Sequence, residues 1–339
     1  MKHKPIENRS LRVGVYGTGN FANQQHLPNL SKLENVDLVA AADINKDALK
    51  STAEKFGITH TYEDAYEMLA KEDLDILYSI VPAFVRTDVE ATAAAKGIHL
   101  FSEKPQALTM AVARRIADAV DEGSVFSSVC FRERYRPIFM EAKRLLEGKN
   151  VIHIRFQSWR DLVPKKEEMG EGWSNNVDLG GSAAFDWGVH AVDYSRYMSG
   201  HDIVRAQGFV HHPKEFALPL SNSYNFVLDS GATLHVSFVS AGDMPTHQPY
   251  FLIFYEGGYL GVHGYDFIEM NGERVYTAEE YNPWFELDRR FIEAVRQGDD
   301  SDLLNDYRDG LLSLGPVLAA WESTRQKGEM IDVVKFMEN

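Results

Sequence analysis

The sequence predicts two domains of different class: an α/β domain with a parallel sheet, followed by an α+β domain with a large, mainly antiparallel sheet covered by helices. Three observations carry this prediction. Short apolar runs alternate with helical patterns through about residue 131. From Val151 onward the apolar period becomes two. A chain of 339 residues also exceeds one ordinary core. The expected boundaries are 8–131 and 132–339.

Five runs in the first domain read as strands: Leu11 to Tyr16, Val36 to Ala42, Ile76 to Val81, Ile98 to Ser102 and Val125 to Phe131. Each is short, β-branched or aromatic in character, and bounded by Gly, Pro or Asp. Between them, Lys46 to Phe56, Thr61 to Ala70, Arg86 to Lys96 and Thr109 to Glu122 carry apolar residues at helical spacing. Gly57, Gly97 and Gly123 stand where C-caps are expected. Strand and helix in alternation place helices on both faces of a parallel sheet.

The second domain opens with a helix, Pro137 to Leu146, started by proline and followed by Gly148. Ile152, Ile154 and Phe156 then alternate with polar residues, as do Leu234, Val236 and Phe238. Asp229-Ser230-Gly231, Glu256-Gly257-Gly258 and Asn271-Gly272 are hairpin turns. The run Gly181 to Met198 reads as one helix, and Pro283 to Arg296 and Asp302 to Gln326 as two more. Gly315-Pro316 is expected to kink or break the last.

Composition narrows the function classes. The formal net charge of −15 repels phosphate backbones and anionic headgroups, so neither nucleic acid nor membrane is an expected partner. The stretch Met1 to Ser10 is polar, unlike a signal peptide, and no run is long enough to span a bilayer, which makes the cytoplasm the expected location. Cys130, the single cysteine, is expected in the core. The histidines lack metal-ligand spacing, and adjacent His211 and His212 would point to opposite faces of a strand, so no metal is expected.

Chemistry enters at Gly17-Thr-Gly19-Asn20-Phe21-Ala22, between the first strand and a helix. Gly17 permits the tight turn, Gly19 lets a pyrophosphate approach the backbone, and Ala22 keeps the helix close to its strand. The helix start offers unpaired N–H groups and partial positive charge to phosphates. Asp43 ends the second strand, where its carboxylate suits ribose hydroxyls and repels a 2′-phosphate. These features predict a dinucleotide-binding Rossmann domain favouring NAD(H); Lys46 leaves NADP(H) open.

Phe101-Ser-Glu103-Lys104-Pro105 follows another strand, and Gly180-Gly-Ser-Ala-Ala-Phe-Asp186-Trp-Gly-Val-His190-Ala-Val-Asp193 lies in the second domain. With the glycine turn, these two blocks resemble the Gfo/Idh/MocA oxidoreductases over nearly the whole chain. The resemblance implies that Lys104 reaches nicotinamide and substrate, that a cis peptide often precedes the proline, and that the final helices return to the Rossmann domain. The implied cofactor-binding set is Gly17, Gly19, Asn20, Phe21, Ala22, Asp43, Pro82, Glu103 and Lys104. On one helix, Asp186 and His190 at i and i+4 would share a face, joining carboxylate and imidazole for proton transfer. Asp193 suits a structural partner role equally.

Candidate catalytic residues are therefore Lys104, Asp186 and His190. Arg134 at the domain junction, Trp173, Asp186 and His190 are candidates for substrate contact; Trp159, Trp173 and Trp187 are rings that could stack on a sugar. Arg86 departs from the family pattern, and bridging to a ligand or capping a helix suits it equally. The resemblance implies hydride transfer between nicotinamide and a sugar, polyol or related compound, in a homodimer or homotetramer formed through the second-domain sheet. Two alternatives share these motifs: an NAD-dependent glycosidase with transient substrate oxidation, and a non-catalytic dinucleotide-sensing regulator. Net NADH accumulation separates the first from a dehydrogenase, and an intact proton-transfer set argues against the second.

Overall fold

A computed structural model describes residues 3–6, 8–170, 172–180, 182–242 and 248–339. Gly181 of the second-domain motif, and Met1, Lys2 and Glu7, lie outside the described residues. Among the described residues, no helix is long and apolar enough to cross a membrane. The chain divides into two compact units, Met1–Tyr135 with Asn282–Leu311, and Arg136–Tyr281 with Leu312–Asn339. The division is thus discontinuous: the segment 282–311 belongs with the first unit, whereas the last helices stay with the second.

The first unit holds six strands: β1 (Leu11–Tyr16), β2 (Val36–Ala42), β3 (His60–Tyr62), β4 (Ile76–Ser79), β5 (His99–Ser102) and β6 (Ser127–Val129). Their order is β3-β2-β1-β4-β5-β6, and every pair is parallel. Strand order reverses between β1 and β4, so the loops leaving β1, β4 and β5 emerge together at the sheet's carboxyl edge. β3 is an addition to the sequence prediction, which read Thr61 onward as helix. Three residues are too few to show a period, and the helix begins only at Ala65, capped by Asp64.

Leu11, Val13 and Val15 of β1 and Ile76 and Tyr78 of β4 form one buried cluster with Leu287, Phe291 and Val295. Those last three recur every four residues on the helix Pro283–Gln297, which lays one apolar face on the sheet. Gly57 caps its helix in the left-handed conformation as expected. Gly123 does not, with φ −70°. It is glycine for space instead: a Cβ there would lie 2.3 Å from the carbonyl oxygen of Ala94.

The second unit holds one nine-stranded sheet built from β7 (Val151–Arg160), β8 (Ile203–His211), β9 (Ser221–Leu228), β10 (Thr233–Ser240), β11 (Phe251–Tyr255), β12 (Gly258–His263), β13 (Phe267–Met270), β14 (Glu273–Thr277) and β15 (Ile331–Asp332). The order is β14-β13-β12-β11-β7-β10-β9-β8-β15. All pairs are antiparallel except β7 with β10. At the last hairpin Asn271 (φ 53°) and Gly272 (φ 87°) both turn left-handed, as a tight two-residue turn requires. Along β9, Asn222, Tyr224, Phe226 and Leu228 point inward and alternate with half-buried neighbours.

Two helix expectations are corrected here. The predicted run to Met198 is two helices, Ala183–Asp186 and Gly188–Ser199, separated at Trp187. Gly188 starts the second and packs against the side chain of Val317. Conversely, the helix Tyr307–Arg325 runs through Pro316 without a break. The missing N–H of one proline removes a single ladder bond, which a well-buried helix of this length absorbs.

Candidate functional site

The loop after β1 is built by two glycines with different duties. Gly17 has φ +96°, and a Cβ on it would lie 2.4 Å from the Ile80 carbonyl oxygen at the end of β4. A Cβ on Gly19 would meet no atom within 4 Å, so its backbone is open to a bulky approaching group. Asn20 and Phe21, both exposed, open the following helix, while Ala22 is buried in the core cluster. That helix contains a π-helical turn at Ala22–His26, a widening often found at functional sites.

Asp43 joins the second strand to this loop. Its Oδ2 accepts from the Thr18 backbone N–H (2.7 Å) and hydroxyl (3.1 Å), and its Oδ1 accepts from the Asn45 N–H (2.8 Å). Lys46, the cation next in chain, is 2.7 Å from Glu63 and so has its charge offset. Pro82, after β4, heads the short turn Ala83–Val85. These groups fit a dinucleotide: a glycine cradle without side-chain atoms, a helix start, and a carboxylate beyond the second strand.

Glu103 and Lys104 leave β5 at the same edge, and the Lys104–Pro105 peptide is cis. The Lys104 backbone N–H donates to Glu103 Oε2 (3.0 Å). Beneath this turn sits an arrangement the sequence did not reveal. His26, fully buried, lies between two carboxylates: Nδ1 is 2.8 Å from Asp288 and Nε2 is 3.0 Å from Glu103. Burial alone would push the imidazole pKa down, but the charge and hydrogen bond of Asp288, with Glu103, raise it well above the usual histidine range. Burial opposes ionisation of Glu103 too, and His26 overcomes it and lowers that pKa. Cys130 stands beside them, its thiol pushed up to about 12 by burial and the Glu103 charge. His26, Glu103 and Cys130 come close enough to hold a metal ion. A protonated imidazole pinned between carboxylates and a neutral thiol are, however, a poor ligand set.

Arg86 resolves differently from both expectations. It is buried and donates to Ser79 and Ser102 hydroxyls (3.2 and 2.7 Å), to Glu90 (3.1 Å), and to the Val81 and Glu103 carbonyls (3.1 and 2.6 Å). It fastens the ends of β4 and β5 to the Glu103 turn, and the helix it was expected to begin starts at Val89. Arg134 likewise is drawn into the first unit, 2.7 Å from Asp309 and donating to the Leu304 carbonyl at 2.7 Å. Those contacts tie it to the segment 304–309.

In the second unit His190 is buried on the helix Gly188–Ser199 and lines a cavity of about 270 Å³. Its Nδ1 is 2.6 Å from the Tyr194 hydroxyl one turn on, with the rings nearly parallel at 5.2 Å. Trp187, Tyr194, Phe156, Phe251 and Tyr265 form much of the wall. Asp186 ends the short helix before Trp187 and is not among the residues lining this cavity. Trp173 is exposed and lies outside this cavity, whereas Trp159 and Trp187 line it. Asp193 is buried, accepts from Ser313 (2.8 Å) and lies 3.9 Å from Arg196, a structural role. Tyr194 was legible in principle: a hydroxyl four residues after a histidine on a helix lies beside it.

Comparison with known proteins gives a consistent picture. A family model described as GFO/IDH/MocA oxidoreductase family, NAD-binding Rossmann fold, matches residues 11–131, and the corresponding C-terminal domain model matches 139–261. The scyllo-inositol 2-dehydrogenase (NAD(+)) of Bacillus subtilis is 25% identical over 69% of this chain and 66% of its own length. The myo-inositol 2-dehydrogenase of Thermotoga maritima is 24% identical over 57% and 56%. The chain thus spans 56 to 66% of these two curated relatives. Among solved structures, the WlbA dehydrogenase of Bordetella pertussis in complex with NADH and UDP-GlcNAcA superposes with a TM-score of 0.82 at 20% identity, covering 97% of this chain and 99% of that one.

Proposed function

The chain belongs to the Gfo/Idh/MocA oxidoreductases, and on that premise we propose that it is an NAD(H)-dependent dehydrogenase or reductase acting on a CH–OH group of a sugar or polyol. The observation that carries this reading is His190, buried in an aromatic cavity with its Nδ1 hydrogen-bonded to Tyr194. When Nδ1–H donates to Tyr194, the Nε2 lone pair is the base. His190 then removes the substrate hydroxyl proton in oxidation and returns it in reduction. Lys104 polarises the reacting oxygen through its ammonium. Bound nicotinamide dinucleotide supplies the hydride acceptor or donor.

NAD(H) is the proposed cofactor over NADP(H). Asp43 puts a carboxylate at the end of the second strand, where it suits ribose hydroxyls and repels a 2′-phosphate, and the nearby cation Lys46 points to Glu63 at 2.7 Å. The relatives' inositol substrates suggest the class to try first. Self-association through the nine-stranded sheet, where Ile152 and Phe254 are exposed, belongs to the same reading; light scattering tests it.

The test is a panel of inositols, sugars and polyols with NAD and NADP supplied separately, followed by absorbance of the reduced cofactor. Lys104→Ala and His190→Ala should retain cofactor binding and lose on the order of 10²–10⁴ in turnover. Full turnover by either variant would remove it from the mechanism, and equal rates with NADP would overturn the cofactor preference.

A further inference from the structure

We propose that the cavity beside His190 takes a monosaccharide acid, with Arg160 as the residue that binds its carboxylate; this rests on the sugar-oxidoreductase reading above. Arg160 is the last residue of β7 and shares a strand face with Phe156 and Ser158, which also line the cavity. It is half-buried, and no described residue accepts a hydrogen bond from its guanidinium or pairs with its charge. Holding a guanidinium unpaired beside aromatic rings costs free energy, which a carboxylate brought by a ligand would recover.

The surrounding charge points the same way. The protein carries 50 acidic residues, yet none of the described ones lines this cavity. A second guanidinium, that of Arg136, lies 4.1 Å over the ring of Tyr265, one of the wall residues. An acidic protein repels anions generally, so a cavity with net positive walls concentrates them locally. A forked guanidinium matches the two oxygens of a carboxylate. The aromatic walls suit the apolar face of a sugar ring. At about 270 Å³ the cavity suits one ring, smaller than the sites of drug-sized ligands.

Trp159 and Trp187 line the cavity and report on its occupancy through their fluorescence. The NAD-loaded protein would be titrated with D-glucuronate, D-galacturonate and D-gluconate, and in parallel with D-glucose, D-galactose and D-glucitol. At least one acid should bind about tenfold or more tightly than its neutral counterpart. R160Q should bring the two within about twofold, and R160K should keep part of the preference by retaining charge without the fork. The proposal is overturned if no acid gives a saturable change, if the neutral compound binds as well, or if the preference survives in R160Q. Hydride transfer is read separately: acid binding without NADH formation would sink the dehydrogenase reading alone, while turnover of neutral sugars with no acid preference would sink the Arg160 assignment alone.

Discussion

The Tyr194 hydroxyl lies 2.6 Å from Nδ1 of His190, on the same helix and one turn away. Rings and helix hold that distance together, because the two rings also stack at 5.2 Å with 25° between their planes. The hydroxyl therefore fixes the orientation of the imidazole and engages Nδ1, leaving Nε2 for a ligand. Tyr194→Phe keeps the ring and removes only the hydrogen bond. Oxidative turnover should fall about tenfold, with KM for the cofactor unchanged and the acidic limb of the rate profile, which reports the base, displaced. Unchanged turnover and an unmoved pH profile would exclude Tyr194 as a positioning residue.

His26 is expected to carry its proton through neutral pH, since Asp288 and Glu103 raise its pKa despite complete burial. A folded pKa above the unfolded value of about 6.5 stabilises fully below that value. The contribution is lost as pH rises toward the folded pKa, so it fades on the alkaline side. Nitrogen NMR of the imidazole is the direct measurement, and titration at or below about 6.5 would contradict the ion-paired arrangement. His26→Gln leaves two buried carboxylates facing each other and should cost about 3–5 kcal/mol of stability at neutral pH.

His99 should behave in the opposite sense. Burial, with the charge of His3, pushes its pKa down to about 4, and its Nδ1 accepts from the Phe126 backbone N–H at 2.9 Å. Here the unfolded chain binds the proton more readily, so stability is present above about 6.5 and is lost as pH falls toward about 4. Urea midpoints across that window should decline, and His99→Gln, which keeps an acceptor, should flatten the decline. An equally steep acid limb in that variant would assign the loss to other groups.

The two glycines of the first loop separate folding from binding. Gly17→Ala forces a side chain into left-handed backbone and against the Ile80 carbonyl, so it should lower the melting temperature of the cofactor-free protein. Gly19→Ala meets nothing in the protein and should leave that temperature nearly unchanged while weakening NAD binding. Calorimetry of both variants checks this. A Gly19 variant with full NAD affinity would place the pyrophosphate elsewhere.

Local chemistry was legible in the sequence wherever a pattern repeated or a residue type was obligatory. The alternation from Leu11 to Phe131 announced the parallel sheet, and Asn271-Gly272 announced its hairpin. Three-residue β3 was illegible because so short a run has no period. The pairing of His26 with Asp288 joins positions 262 residues apart, and no local spacing encodes such a meeting. The partners of Arg86, read from sequence equally as a ligand bridge or a helix cap, and of Arg134 were illegible because sequence gives charge without giving partners; Glu90, Ser102 and Asp309 meet them in the fold.

The discontinuous first unit bears on how the protein is made. Residues up to Tyr135 leave the ribosome well before Leu287, Asp288 and Phe291, which finish that unit's core and its ionic centre. At usual elongation rates the nascent sheet waits roughly 10–30 s for them, with apolar surface uncovered and His26 lacking one carboxylate. Throughout that interval the growing chain is a natural client for a chaperone. A fragment ending near Tyr135 would remain in this unfinished condition permanently.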